Sequence, residues 1–339
     1  ARRAPARRGR RHAVKLVGVS MVRNESDIVE TFVRHNLTVL DGLVVVDHGS
    51  ADATPDILNA LCRERLPLVV LRNEAVGYLQ PAIMTQVVRH ALATTGADFV
   101  FPLDADEFLR VSSRAALERA LAALPPGTHG WLRWPTYVPD LRTRGQDILA
   151  VLRGARRVSA DANTLTKVVV ARSFLQATDD VLSGGNHWVT AHPDARVRGM
   201  RSHERVPEEV ATVAHVPIRG AEQFVAKVAI KKLGRVAARI DWKPDAASQA
   251  SYERLRAGEA VDVDALVLAA CNWSVPTGAW RDPGALALVD DPFLAPFALR
   301  YTPRAPSAAL PLVLSAVHRL TRRLADARRS GTGVPARPA

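Results

Sequence analysis

Cysteine is almost missing: Cys62 and Cys271 are the only two in 339 residues, far apart and in no motif. That excludes a disulfide framework, and both are expected to be reduced core thiols. The chain has no run of about eighteen apolar residues, which argues against a membrane-spanning helix. The arginine-rich start lacks the apolar segment of a secretory signal, because Val14 to Met21 is interrupted by Lys15 and reads as a first core strand. An intracellular, cytoplasmic protein is the expectation.

What is present is positive charge at the ends and hydrophobicity between them. The formal charge is +12, with six arginines in the first eleven residues and Arg319, Arg322, Arg323, Arg328 and Arg329 near the C-terminus. Such ends serve solubility first. Attraction to an anionic membrane surface, giving peripheral contact at its inner face, comes second. Nucleic acid comes last, since neither zinc-finger spacing nor aromatic interleaving accompanies the arginines. The hydrophobic content of 47% belongs to an ordered globular protein.

Past a flexible basic arm at 1–12, apolar runs at 14–22, 42–47, 66–72 and 97–103 alternate with helical patterns. The first helix is expected to begin near Asp27, with Glu30 as capping partner and Val29, Phe32, Val33, Leu37 and Leu40 as its apolar stripe. Thr54 and Pro55 suit an N-cap followed by proline at the first helical position. A third helix is expected at 81–95. Ser112 or Ser113 can cap a fourth, which Pro125-Pro126-Gly127 ends. This alternation makes an α/β fold, a mostly parallel sheet flanked by helices. Beyond residue 125, strands at 131–137 and 164–171 suit an antiparallel extension that closes a cleft, followed by a basic amphipathic helix at 222–236. The expected organisation is one half at 13–125, a second at 126–242, a mainly helical appendage at 243–330 and a flexible tail at 331–339.

Two apolar strands end in acid. GLVVV at 42–46 leads into Asp47, and ADFVFPL at 97–103 leads into Asp104, Asp106 and Glu107. Open α/β sheets bind ligands at this C-terminal edge. Asp104 and Asp106, two positions apart, would share one face in an extended segment, with carboxylates roughly 6–7 Å apart. Asp106 is the better direct ligand for Mg²⁺ or Mn²⁺, and Asp104 orients a sugar or coordinates through water. Asp47 suits a base or ribose, while Asp52 suits a turn in which Gly49 takes an unusual backbone angle. Trp131, Trp134, Tyr137 and Trp188 either face a sugar or fill the core, packing being the simpler reading.

Three blocks, SMVRNESDIVETFVRHNL at 20–37, VVVDHGSADATPDIL at 44–58 and FVFPLDADEF at 99–108, resemble the family 2-type glycosyltransferases of GT-A fold in order and spacing. The likeness covers about residues 14–230 and fades from 243. It implies a GT-A-like, Rossmann-type mixed sheet and sugar transfer with inversion from a nucleotide diphosphate donor, UDP-sugar being the first choice. It places Ser20, Val22 and Glu25 in the first nucleotide-binding segment, Asp47 at the base or ribose, and Asp104 and Asp106 at the DxD pair. The family's proline-threonine-tyrosine wording is replaced by Met21-Val22-Arg23, which leaves the nucleotide open. A later histidine that completes metal coordination is implied at His215 or His187, with Lys167, Arg219, Lys227 and Lys231 as candidates to approach the diphosphate. Glu107 is expected behind the ligands or at the donor sugar.

Inversion needs a carboxylate base on the face opposite the leaving group. Asp180, beside the glycine-rich SGGNHW, is preferred and Asp161 is the runner-up, with Asp179 and Asp194 behind them. The acceptor is expected to be a glycan, a lipid-linked sugar or a small molecule. A sugar-phosphate nucleotidylyltransferase is the enzymatic alternative, weakened by the missing N-terminal glycine-rich phosphate loop. A non-catalytic carbohydrate or membrane-surface binding protein is the other.

Overall fold

In the computed structural model, the residues described are 14–75, 77, 79–143, 145, 147–159, 163–191, 200–237, 246–257, 259, 262–303 and 309–329. The first half runs β1 (Leu16–Val22), α1 (Val29–Asn36), β2 (Gly42–Asp47), α2 (Thr54–Arg63), β3 (Leu68–Arg72), α3 (Gln80–Thr95), β4 (Phe99–Pro102), β5 (Glu107–Val111) and α4 (Arg114–Ala122). The second continues with β6 (His129–Arg133), β7 (Tyr137–Val138), α5 (Ile148–Arg153), β8 (Arg156–Val158), β9 (Thr166–Ala171), β10 (Val181–Leu182), β11 (Val189–Thr190), β12 (His203–Arg205), β13 (Ala211–His215) and α6 (Ala221–Ala237). After these come α7 (Ala246–Ala257), α8 (Val263–Cys271), β14 (Leu288–Val289) and α9 (Ala309–Arg329).

The main sheet has the order β3-β2-β1-β4-β9-β6-β13-β5, with β12 beside β6. Its first four strands are parallel, and β9 joins β4 antiparallel. Parallel strands covered on both faces bury nearly every side chain, and Val44, Val45 and Val46 are accordingly buried. One apolar layer packs α1 and α2 on the sheet, and the other is built by α3 with Phe174, Leu182 and Val189. This is the mixed α/β arrangement of a GT-A-like, Rossmann-type fold. Among the described residues no helix is long and apolar enough to cross a membrane.

Several local expectations need correction. Helix α1 starts after Ile28 without a side-chain cap, because Asp27 accepts from Arg219 instead. The Glu30 carboxylate accepts from the backbone N–H groups of Arg300, Tyr301 and Thr302. Ala53 occupies the N-cap of α2, while the Thr54 hydroxyl accepts from the Glu25 N–H at 2.9 Å. Ser113 does cap α4.

Several of the described residues after 243 pack on the earlier part of the chain. Phe293 joins the main core, Asp291 pairs with Arg157 and Arg110, and α9 packs along α6. The basic arm at 1–12 and the tail at 331–339 lie outside the described residues.

Candidate metal and nucleotide site

The parallel strands deliver their C-terminal ends to one edge, where two loops are stitched together. Asn24 N–H donates to Ser50 Oγ at 2.9 Å, Ser26 N–H to Asp52 Oδ2 at 3.0 Å, and Asp52 Oδ1 accepts from Thr54 N–H at 3.0 Å. Gly49 has φ +67°, the left-handed region expected of it. Asp47 is buried at the end of β2, its Oδ1 accepting from Ser50 N–H at 3.0 Å. Ser20 lies wholly inside β1 with an unpartnered hydroxyl. Val22 is core, its carbonyl accepting from His48 N–H at 2.9 Å, so only its backbone lies along the edge.

Residues 103–106 form a turn between β4 and β5 rather than an extended run. Asp104 and Asp106 therefore diverge, a correction to the expectation of a shared face. Asp104 turns toward β9 and α3, accepting from Lys167 Nζ at 3.0 Å and Gln80 Nε2 at 3.1 Å. Asp106 turns toward β13 and α6, accepting from Lys227 Nζ at 2.6 Å, with His215 Nε2 at 3.8 Å and Arg219 Nη1 at 3.9 Å.

The pairing of His215 with Glu107 across β13 and β5 brings the histidine to this turn. Asp106, Glu107 and His215 each offer a ligand atom within 4.8 Å of the others. Glu107, however, has both oxygens engaged. Oε1 accepts from Trp134 Nε1 at 2.8 Å and pairs with Lys167 at 2.8 Å, and Oε2 accepts from Asp104 N–H at 2.9 Å. It braces the turn. Asp106 and His215 are the groups better placed to hold a cation, and neither Asp104 nor His187 belongs to this cluster.

The electrostatics favour such a role. Burial works against the Asp106 anion, but Lys227, His215 and Arg219 together hold it well below the usual carboxylate range. Burial drives His215 down to about 3, so its imidazole is neutral at physiological pH. The ring stacks on Trp134 at 4.1 Å, and its Nδ1 is buried without a hydrogen-bond partner. A neutral imidazole that turns Nε2 toward the ionised Asp106 carboxylate at 3.8 Å offers a nitrogen and an oxygen donor that fit Mn²⁺ or Mg²⁺. Lys227 already occupies Asp106 Oδ2, so a cation would compete with an ammonium group.

Other anticipated residues have different surroundings. Lys167 is wholly buried and spends its ammonium protons on Asp104, Glu107 and the Gly185 carbonyl. It therefore positions the acidic turn instead of facing a ligand. His187 meets Trp134 edge-on at 5.3 Å, with Nδ1 2.8 Å from the Thr166 carbonyl; burial lowers it to about 4. Arg219 is buried and bonds Glu25 at 2.7 Å and Asp27 at 2.8 Å, leaving Nη1 near Asp106 without a hydrogen bond. Burial raises Glu25 to about 7 against the pull of Arg219.

Asp180 is not brought to the cluster. Its carboxylate is buried in an ion pair with Arg201, and its carbonyl accepts from Arg89 at 2.8 Å. Arg89 lies nine residues along α3 from Gln80, about 13 Å from the residue that touches Asp104. Asp161 and Asp194 lie outside the described residues. Gln80, whose Oε1 also accepts from Gly185 N–H at 3.1 Å, was not anticipated; nothing in its local pattern signals the role.

A second feature lies at the same edge. A cavity of about 180 Å³ is bounded by Arg23, Asp47, Ser50 and Arg72 from the strand ends, Leu233 and Gly234 from α6, and Arg319 and Arg323 from α9.

No family model matches the chain, and no curated protein does either. Solved structures give loose overlaps. One is the mannosyltransferase PcManGT from Pyrobaculum calidifontis in complex with GDP-Man and Mn²⁺, 19% identical with TM-score 0.38, covering 96% of this chain and 84% of that one. S. aureus TarS is 14% identical with TM-score 0.35, covering 71% of this chain and 42% of its own. GalNAc-T7 with UDP, GalNAc and Mn²⁺ is 14% identical with TM-score 0.34, covering 60% of this chain and 43% of its own. This chain thus spans less than half the length of the latter two.

Proposed function

We propose that this protein is a metal-dependent, inverting glycosyltransferase that takes a sugar from a nucleotide diphosphate donor. The observation that carries the reading is the buried Asp106–His215 pair, Nε2 facing the carboxylate at 3.8 Å, flanked by Lys227 and Arg219 at the ligand-binding edge of the sheet. Its support in sequence is the resemblance of the three blocks that build that edge. A divalent cation held by Asp106 and His215 would offset charge on the departing diphosphate. The chain's own cations act in the same direction. The free Nη1 of Arg219 and the part-buried ammonium of Lys227 lie where an anionic leaving group would approach Asp106.

Lys167, Trp134 and Gln80 hold the acidic turn in place, and Asp47 faces the nucleoside end. Asp180 is tied to Arg201, so Asp161, second to it in the sequence reading, is the base to test. UDP-sugar is the first donor to test, with GDP and dTDP beside it. The acceptor is a glycan, lipid-linked sugar or small molecule carrying a hydroxyl.

The test is calorimetric titration of UDP, GDP and dTDP with Mn²⁺ or Mg²⁺, repeated after chelation and with Asp106→Asn. Binding of one nucleotide that weakens in both controls supports the reading. If no nucleotide shows metal-linked binding, the reading fails. Release of nucleotide diphosphate only when an acceptor is supplied, lost in Asp161→Asn, would support the transfer step and the base.

A further inference from the structure

The cavity beside Asp47 is walled on one side by α9, a helix beyond the segment whose sequence resembles a known family. The inward stripe of α9 includes Ala316, Arg319, Leu320 and Arg323, a helical spacing that puts two guanidinium groups over the cavity. Arg319 Nη1 donates to the Ser50 carbonyl at 2.6 Å, and Arg323 pairs with Glu74 on the strand side. Helix and strand edge are thus joined by arginines, not by an apolar seam alone.

The charge in this cavity is unbalanced. Arg23, Arg72, Arg319 and Arg323 supply four guanidinium groups against the two carboxylates of Asp47 and Glu74, a surplus of two positive charges. Buried N–H groups are also left over: Arg23 Nε and Arg319 Nη2 have no hydrogen-bond partner. Burying donors without acceptors costs free energy, so the arrangement fits a ligand that brings acceptors. Its place along α6 indicates which part of a ligand. Leu233 lines the cavity six residues beyond Lys227, which holds Asp106, so the two points are about 9 Å apart along the helix. That offset suits the base and ribose of a nucleotide whose diphosphate lies at Asp106.

We propose that α9 is a working wall of the donor pocket, and that Arg319 and Arg323 hold the nucleoside end of the nucleotide. Base carbonyls and ribose hydroxyls supply the missing acceptors, while the Asp47 carboxylate accepts from a ring N–H or a ribose hydroxyl. Docking of α9 and nucleotide binding are then linked, each strengthening the other. The proposal rests on the nucleotide-donor reading but concerns different residues.

The experiment titrates UDP, GDP and inorganic pyrophosphate, each with Mn²⁺, into the full chain and into Arg319→Gln/Arg323→Gln. Nucleotide binding should weaken roughly ten-fold or more, the scale of a lost charge-assisted contact, while pyrophosphate binding is unchanged. Arg319→Lys/Arg323→Lys should recover part of the affinity, which separates a lost contact from misfolding. Arg322→Gln, exposed on the same helix, should bind as wild type. Nucleotide affinity that is unchanged or tighter in the glutamine variant overturns the role of α9 while leaving the donor reading intact. Equal loss of pyrophosphate overturns the nucleoside-end placement. If wild type binds none of the three, nor dTDP, both proposals fall.

Discussion

Replacing Lys167 with methionine should expose the energetics of the acidic turn. The ammonium group is wholly buried and is 2.8 Å from Glu107, which is fully buried as well, and 3.0 Å from Asp104. Methionine fills much the same space but leaves Glu107 without a cation. Removing one partner of a buried pair costs about 3–5 kcal/mol. Asp104 contributes less, because its side chain is 31% exposed and can take water instead. The loss should also depend on pH. Burial and the nearby Asp104 and Asp106 charges already push Glu107 up, to about 8, with Lys167 opposing them; removing the lysine raises it further. A carboxyl with a raised folded pKa binds more protons folded than unfolded, so stability falls as pH climbs from its unfolded value toward its folded one. Urea unfolding of wild type and Lys167→Met at pH 7 and pH 9.5 should show the larger loss at pH 9.5, because Glu107 ionises near pH 8 beside Lys167 in wild type and only at higher pH in the variant. A loss under about 1 kcal/mol at pH 9.5, or one equal at the two pH values, would refute the view that Lys167 neutralises this turn.

Because burial holds His215 at about 3, protons should not compete with a cation for its imidazole; Mn²⁺ affinity followed by electron paramagnetic resonance should show no histidine step between pH 7.5 and 5.5. A histidine at its ordinary value would cost about ten-fold over that interval, and such a loss in wild type but not in His215→Ala would contradict the assignment. Gly185 has φ +75°, and a Cβ there would lie 2.5 Å from His187 Nε2, so Gly185→Ala should lower stability by about 1–3 kcal/mol in a denaturant melt. Glu30 is wholly buried, and four hydrogen bonds from residues 300–302, together with one from Arg34, outweigh burial to hold it below its ordinary value. Its contribution is therefore present above the unfolded carboxyl pKa and lost as pH falls through the folded one. Glu30→Gln should lose about 1.5–3 kcal/mol at pH 7, judged by urea unfolding, and a smaller share at pH 3.

The alternation of strand and helix was legible because the inner parallel strands β1, β2 and β4 are buried on both faces, so VKLVGV, GLVVV and FVF read as apolar runs whatever they pair with. Legible for the same reason was the place of Asp47 and the acidic triplet, since a buried strand has to release its first carboxylates at its end. What happens after the strand was not legible. The turn at 103–106 sends Asp104 and Asp106 to opposite partners, and no local pattern separates that turn from an extended DxD segment. Strand β5 starts at the last acid of the triplet, so its pairing with β13, which sets His215 against Glu107, was hidden behind the acids themselves. The cations that decide the site come from far along the chain: Lys167 is 60 residues from Glu107, Lys227 is 121 from Asp106 and Arg219 is 194 from Glu25. Asp180 misled for a related reason. Its glycine-rich setting looked like room for an acceptor, but Gly185 serves instead to bring a carbonyl to Lys167, and Asp180 faces Arg201. A local motif can thus show where a strand ends and what chemistry is available there. Which carboxylate braces the turn, and which is left to hold a cation, depends on distant lysines and arginines, and Glu107 and Asp106 divide those roles according to where Lys167 and Lys227 arrive.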